Sequence, residues 1–100
     1  MSNFKVDIKS HECELNAAND NVDVEITLET GEVYAATFFA LANLSHLMTS
    51  YRKSGECANG LYFWAADMIV VDFLTEEVIR RSVADLIRTG EINSACTRIR

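Results

Sequence analysis

The side chains of this sequence that could bind a metal or act as nucleophiles are three cysteines and two histidines. The cysteines, Cys13, Cys57 and Cys96, are odd in number and far apart, which is typical of reduced thiols rather than of a disulfide framework. Only His11 and Cys13 have a spacing near that of a zinc site, and neither Cys-x-x-Cys nor His-Glu-x-x-His occurs. We therefore predict neither a metal nor another cofactor.

No pattern in the sequence supports nucleophilic or acid–base catalysis. Cys57 follows the end of a predicted helix, where the negative end of the helix dipole disfavours a thiolate. Glu76 and Glu77 suit the first turn of a helix, and Asp67 and Asp72 flank an apolar run and are expected to end strands. The four glycines are isolated, so no phosphate-binding loop is present. We predict no catalytic residue and no enzymatic activity.

Strands are predicted where apolar and polar residues alternate. Residues 4–9 and 22–29 both have this period of two. Thr30-Gly31 then predicts a hairpin, with residues 32–39 as the antiparallel return strand. A two-residue loop would place Val33 opposite Leu28 and Ala35 opposite Ile26, whereas a glycine bulge would shift this register by one.

Two helices are predicted from a period near 3.6. The first begins near Leu41 and ends at Gly55, and the second is capped by Thr75 and ends before Gly90. Between them, residues 61–64 and 68–71 are rich in strand formers, with a turn predicted at residues 65–67. The following residues are expected on the apolar faces of the two helices: Leu41, Leu44, Leu47, Met48 and Tyr51, then Val78, Ile79, Val83, Leu86 and Ile87.

These elements predict one domain over residues 1–100, because a chain of this length supports one hydrophobic core and no linker divides it. The expected class is α+β, with a mainly antiparallel sheet of four or five strands and two helices packed on one face. The last ten residues are left unassigned.

The overall charge limits the partners. Fifteen acidic residues against nine basic ones give a net charge of −6, which argues against binding to nucleic acid or to anionic membranes. No apolar run reaches the roughly 18 residues of a membrane span, and the first residues do not have the pattern of a signal peptide. We expect a cytoplasmic protein.

The charge is also unevenly distributed. Residues 1–32 contain eight acidic and two basic residues, whereas residues 33–100 contain seven of each. We expect Asp23, Glu25 and Glu29 to project from one side of a strand, with Glu32 following the turn. This side is either a solvated sheet face or an acidic surface that steers a basic protein partner.

Tyr62, Phe63 and Trp64 are the one concentration of large aromatic residues. Because strand side chains alternate, Tyr62 and Trp64 are expected on one face and Phe63 on the other. If Phe63 points inward, Tyr62 and Trp64 form an exposed pair of the kind enriched in protein interfaces. If they point inward, they belong to the core, which is where large aromatic residues more commonly lie.

Several segments resemble a group of small uncharacterised bacterial proteins. The similarity covers residues 33–90 and is carried by residues 36–39, 51–52, 55–57, 62–71 and 74–77. Some proteins of this general kind resemble immunity proteins, which are paired with secreted or contact-delivered toxins. The resemblance implies binding rather than catalysis, and it assigns no site.

We therefore expect an immunity-type protein that neutralises a cognate toxin, a basic protein, through the acidic side and through Tyr62 and Trp64. The alternative is a structural module in which a sheet face or an edge strand pairs two copies as a homodimer.

Overall fold

The computed structural model describes residues 3–9 and 18–100, and over these residues the predicted α+β class is confirmed. One five-stranded sheet is accompanied by two long and two short helices. In chain order the elements are β1 (Phe4–Lys9), β2 (Asn21–Leu28), β3 (Val33–Ala40), α1 (Leu41–Ser54), α2 (Glu56–Gly60), β4 (Met68–Val71), α3 (Glu76–Thr89), α4 (Ile92–Ala95) and β5 (Thr97–Arg98).

The sheet is ordered β1-β2-β3-β4, and β5 also pairs with β3. The pairs β1–β2, β2–β3 and β3–β5 are antiparallel, whereas β3–β4 is parallel. Strands β4 and β5 share one side of β3, because β5 pairs with Tyr34 and Ala35 and β4 pairs with residues 37–40. The outer side of β4 is therefore a free edge of the sheet among the described residues.

The β2–β3 hairpin has the register of the glycine bulge. Gly31 has a φ of +94°, its N–H donates to the carbonyl of Leu28, and the N–H of Leu28 donates to the carbonyl of Glu32. Thr27 then lies opposite Val33 and Ile26 opposite Tyr34, one residue away from the two-residue alternative. As a result Tyr34, rather than Val33 or Ala35, joins the hydrophobic core.

The core lies between one face of the sheet and α3. Its central residues are Val22, Val24, Ile26, Tyr34, Ala36, Phe38, Ala40, Val71, Leu74, Ile79, Val83, Ile92 and Cys96. Ile79 and Val83 of α3 are fully buried, and each stabilises the fold by about 1.5–3 kcal/mol. Val78, Leu86 and Ile87 pack around them, so the predicted apolar stripe of this helix is confirmed.

Helix α3 also begins and ends as its sequence predicts. The side chain of Thr75 accepts a hydrogen bond from the N–H of Val78, and Gly90 has the left-handed conformation that terminates the helix. Glu76 forms an ion pair with Arg80 one turn later. Asp85 pairs with Arg88, at 2.6 Å.

Helix α1 has the predicted bounds, but Asn43 is its one buried residue among those described. The Asn43 amide accepts a hydrogen bond from Asn21 and donates one to Asn19, both at 2.9 Å, which ties the helix start to the segment before β2. The apolar pattern of the helix does not mark Asn43 as buried, but these two hydrogen bonds satisfy its amide. No residue of α1 belongs to the core cluster beside α3.

Two further segments differ from expectation. Residues 61–64 form no strand, because their backbone is not hydrogen-bonded to a neighbouring strand. The predicted turn is present at residues 66–67. The unassigned last ten residues contain α4 and β5, and they bury Ile92 and Cys96. No helix in the described part of the chain is long and apolar enough to cross a membrane.

Candidate functional site: an apolar strand edge beside an open sheet face

The sheet face opposite α3 carries two of the four predicted acidic site residues. Asp23 and Glu25 project from β2 onto this face, and with Lys9, Thr37 and Asp67 they line a shallow cavity of about 280 Å³. Asp23 accepts a hydrogen bond from the Thr37 hydroxyl, at 2.9 Å. We call this side of the sheet the open face.

Basic residues of the chain itself partly neutralise the open face. Glu25 lies 3.7 Å from the Lys9 ammonium group and 3.8 Å from the Arg100 guanidinium group. Lys9 also donates a hydrogen bond to Asp7, which together with Glu25 raises the pKa of Lys9. Asp23 is exposed, and unlike Glu25 it makes no ion pair with another described residue.

Glu29 and Glu32 do not lie on the open face, so the prediction that Asp23, Glu25 and Glu29 share one side was wrong. Strand β2 ends at Leu28, and the turn that follows directs Glu29 toward α3. There it lines a cavity of about 730 Å³ with Phe4, Arg81 and Asp85, among others. Period-two alternation ceases once the chain enters a turn, which is why the sequence pattern misplaced Glu29.

Glu32 belongs to a network at the end of the hairpin. Its carboxylate accepts hydrogen bonds from the Thr30 and Tyr34 hydroxyls and lies 3.5 Å from the Arg98 guanidinium group. The Thr30 and Tyr34 hydrogen bonds lower the pKa of Glu32, and Arg98 contributes in the same direction. The Tyr34 hydroxyl also lies 2.6 Å from the Asn93 side-chain oxygen. This carboxylate is thus a structural group that anchors the carboxyl-terminal tail.

The aromatic run has the arrangement with Phe63 inward. The Phe63 ring meets Phe39 edge to face, with centroids 5.4 Å apart, and stacks on Tyr51 of α1 at 6.0 Å. Tyr62 and Trp64 point away from this contact and are 50% and 68% exposed. The alternative that they belong to the core is therefore wrong, and their exposure matches the other alternative, an exposed pair.

Other large apolar side chains are exposed beside this pair. Leu61 is 77% exposed and Phe73 is 59% exposed, while Met68 and Val70 project from β4 onto the open face. Val70 lies opposite Phe39, the residue against which Phe63 packs, so β4 adjoins the aromatic run. We call the following six residues the apolar edge: Leu61, Tyr62, Trp64, Met68, Val70 and Phe73.

The apolar edge lies in an acidic stretch of the chain. Residues 54–79 contain five carboxylates and neither lysine nor arginine. Of the five, Glu76 is paired with Arg80, and Asp67 accepts a hydrogen bond from the Thr97 hydroxyl. This acidic stretch can be recognised in the sequence. Comparing the net charge of residues 1–32 with that of residues 33–100 does not show it, because the arginines after residue 79 offset its carboxylates.

The open face reaches the apolar edge at Met68. In the register of the sheet, Lys9 lies opposite Asp23, Asp23 opposite Thr37, and Thr37 opposite Met68. Two strand spacings separate Asp23 from Met68, which corresponds to about 10 Å. Of the predicted site residues, Asp23 and Glu25 thus lie on the open face and Tyr62 and Trp64 belong to the apolar edge, whereas Glu29 and Glu32 belong to neither.

Cysteine and histidine side chains form no site among the described residues. Cys96 is buried, and burial together with the nearby Asp67 carboxylate raises its pKa to about 11, which disfavours a thiolate. Cys57 is half-buried, and His46 is exposed on α1. No three metal-ligating side chains cluster within residues 3–9 and 18–100. His11 and Cys13 lie outside the described residues.

Comparison with known proteins identifies no relative. No protein-family model, no curated protein and no solved structure matches the chain.

Proposed function

We propose that this chain is a protein-binding domain that engages a basic protein through the apolar edge and the adjoining carboxylates. The observation that carries the proposal is the exposure of six large apolar side chains within residues 61–73, in a stretch without a single basic residue. Exposed apolar groups concentrated in one region are typical of interaction surfaces, because a soluble monomer gains nothing by leaving them in water.

The acidic surroundings define the kind of partner. Asp67 and Asp72 flank β4, Glu56 precedes the aromatic run, and Asp23 lies on the open face. A partner with lysine or arginine around an apolar contact would be steered toward this surface and would pair with these carboxylates. An acidic partner would be repelled, because residues 54–79 offer it no cation.

An immunity-type role is the specific form of this proposal. The resemblance of residues 33–90 to small bacterial proteins of that kind supports it. In this role the chain would occupy the working surface of a cognate toxin in the cytoplasm.

Site-specific photocrosslinking in the native host tests the proposal. A photoreactive phenylalanine analogue replaces Tyr62 or Trp64, and the same analogue at Thr49, on the exposed side of α1, serves as the matched control. We expect one basic protein to be crosslinked at positions 62 and 64 but not at 49, with a yield that falls as salt is raised.

Three results would contradict the proposal. They are equal crosslinking at all three positions, an acidic crosslinked protein, and a crosslinked second copy of this chain. The last of these would identify the homodimer as the function of the surface.

A further inference from the structure

We propose that the free edge of β4 receives an extended segment of the basic partner as an additional strand of the sheet. This inference rests on the proposed function, and it names how the partner is held. The evidence is the direction of the backbone groups of β4, the direction of its side chains and the charges at its two ends.

The backbone of β4 presents hydrogen-bonding groups to the free edge. The carbonyl of Asp67 accepts a hydrogen bond from the N–H of Thr37, the residue opposite Met68 in the parallel pair, so this carbonyl faces β3 and the backbone groups of Met68 face away from it. Because these groups alternate along a strand, those of Ile69 and Val71 also face β3, and those of Met68 and Val70 face outward. No other described backbone group bonds to Met68 or Val70, so both residues offer an unpaired N–H and C=O.

The same two residues present apolar side chains. Met68 is 36% exposed and Val70 is 43% exposed, and both project onto the open face, where Val70 lies beside the Phe39–Phe63 contact. An added strand would thus gain backbone hydrogen bonds at the edge and apolar contacts on one face, the two components of recognition by strand addition. Edge strands are commonly protected by lysine, proline or a bulge, and β4 contains none of these.

The charges at the two ends of β4 favour a basic segment over a second copy of this chain. Two copies of β4 paired antiparallel would bring Asp67 of one strand near Asp72 of the other, and like charges on neighbouring strands are destabilising. A basic segment lying along β4 would instead bring cations toward this acidic strand rather than a second pair of carboxylates. The occupant we infer is therefore an extended basic segment with apolar residues at every second position.

Nuclear magnetic resonance of the full-length chain tests this inference with synthetic peptides. The first probe is an eight-residue peptide of alternating lysine and valine. The second has the same side chains but carries an N-methyl group on every residue, which removes the backbone donors on both edges. We expect the first peptide to shift the amide signals of Met68 and Val70, and the second to bind at least tenfold more weakly, because its backbone cannot complete the ladder.

Two charge-opposed substitutions at one exposed position provide the matched control. Val70→Lys and Val70→Glu both remove the apolar side chain, and they differ only in the sign of the charge beside the added strand. We expect Val70→Lys to weaken binding of the lysine–valine peptide several times more than Val70→Glu does. Equal effects would overturn the charge argument. Val70→Pro removes an outward N–H without breaking a bond to β3, and it should abolish binding.

The outcomes separate this inference from the proposed function. If the peptide shifts the Trp64 indole signal while Met68 and Val70 stay unchanged, strand addition is wrong and the aromatic contact with a basic partner stands. If β4 signals broaden with protein concentration in the absence of peptide, a second copy occupies the edge and the inference is wrong. If no signal of the apolar edge responds to the lysine–valine peptide, strand addition is overturned, and the crosslinking experiment then decides the proposed function.

Discussion

Phe39 and Phe63 meet edge to face, with ring centroids 5.4 Å apart and ring planes at 75°. In this contact the ring at position 63 is directed toward β3, whereas its two neighbours, Tyr62 and Trp64, are 50% and 68% exposed. The exposed aromatic pair thus flanks a half-buried ring that packs against the sheet.

Replacing Phe63 by alanine should destabilise the fold far more than replacing Trp64 does. Phe63→Ala removes the contacts with Phe39 and Tyr51 and should cost about 1–3 kcal/mol of unfolding free energy. Trp64→Ala removes a side chain that is mostly in water and should change it by no more than about 0.5 kcal/mol. Urea unfolding of both variants measures the difference, and comparable losses would mean that Trp64 is packed against the protein.

Gly60 should be intolerant of any side chain, for two reasons. Its φ is +76°, and a Cβ at this position would lie 2.4 Å from the carbonyl oxygen of Met48 and 2.7 Å from Cγ of Arg52. Gly60→Ala should therefore cost the left-handed penalty of about 1–2 kcal/mol plus about 1–3 kcal/mol of overpacking against α1.

Gly90 provides the matched control for this substitution. Its φ is +80°, and a Cβ built there meets nothing within 4 Å. Gly90→Ala should show the conformational penalty alone, so its urea midpoint should fall less than that of Gly60→Ala. If the two variants lost the same stability, the close approach of Gly60 to α1 would not hold in solution.

The sequence predicts elements well where periodicity and end signals agree. Helix α3 is an example, because Thr75, Gly90 and a continuous apolar stripe all indicate the same bounds. The sequence leaves the hairpin register between two alternatives, since a two-residue loop and a glycine bulge are both compatible with Thr30-Gly31 and with a positive φ at the glycine.

Tertiary contacts explain what the sequence could not show. Ile92 and Cys96 are isolated apolar residues in a polar tail, so no periodicity marks them, yet both are buried in the core. Asn43 is buried because two other asparagine side chains satisfy its amide. The exposure of Tyr62 and Trp64 likewise depends on a tertiary contact, because it is decided by which residue of the run packs against Phe39.

Glu32 should contribute stability at neutral pH that is lost in acid. Its pKa in the folded state is lowered by hydrogen bonds from Thr30 and Tyr34, so its ionised form is favoured by folding. The contribution is complete above the ordinary glutamate pKa of 4.5 and disappears as the pH falls through the lower folded value. Glu32→Gln should therefore be less stable than the parent chain at pH 7, and the difference should shrink below about pH 4.

Urea unfolding at pH 7 and in acid, with Glu29→Gln as control, measures this contribution. Glu29 lies in the same turn but makes no hydrogen bond or ion pair with another described residue, so its replacement removes a charge without a bonded partner. A constant difference between Glu32→Gln and the parent chain at both pH values would show that the carboxylate of Glu32 has no special role.

Cys96 should make the fold sensitive to alkali. Burial, with a smaller contribution from the Asp67 carboxylate, raises the thiol pKa from 9.0 to about 11 in the folded state. The unfolded chain therefore loses this proton first as the pH rises. The stabilising contribution is complete below about pH 9 and is lost between pH 9 and 11. Tyr34 acts in the same direction, because desolvation raises the pKa of its hydroxyl as well.

Cys96→Ala separates the thiol from the other alkaline groups. The variant should be less stable than the parent chain at pH 7, because a buried sulfur atom is lost, but its stability should fall less steeply between pH 9 and 11. Cys57→Ala removes a thiol outside the core cluster and is the matched control for loss of a cysteine side chain. Urea unfolding at three pH values gives these slopes. A parent-like slope in Cys96→Ala would assign the alkaline transition to Tyr34 and Lys9 instead.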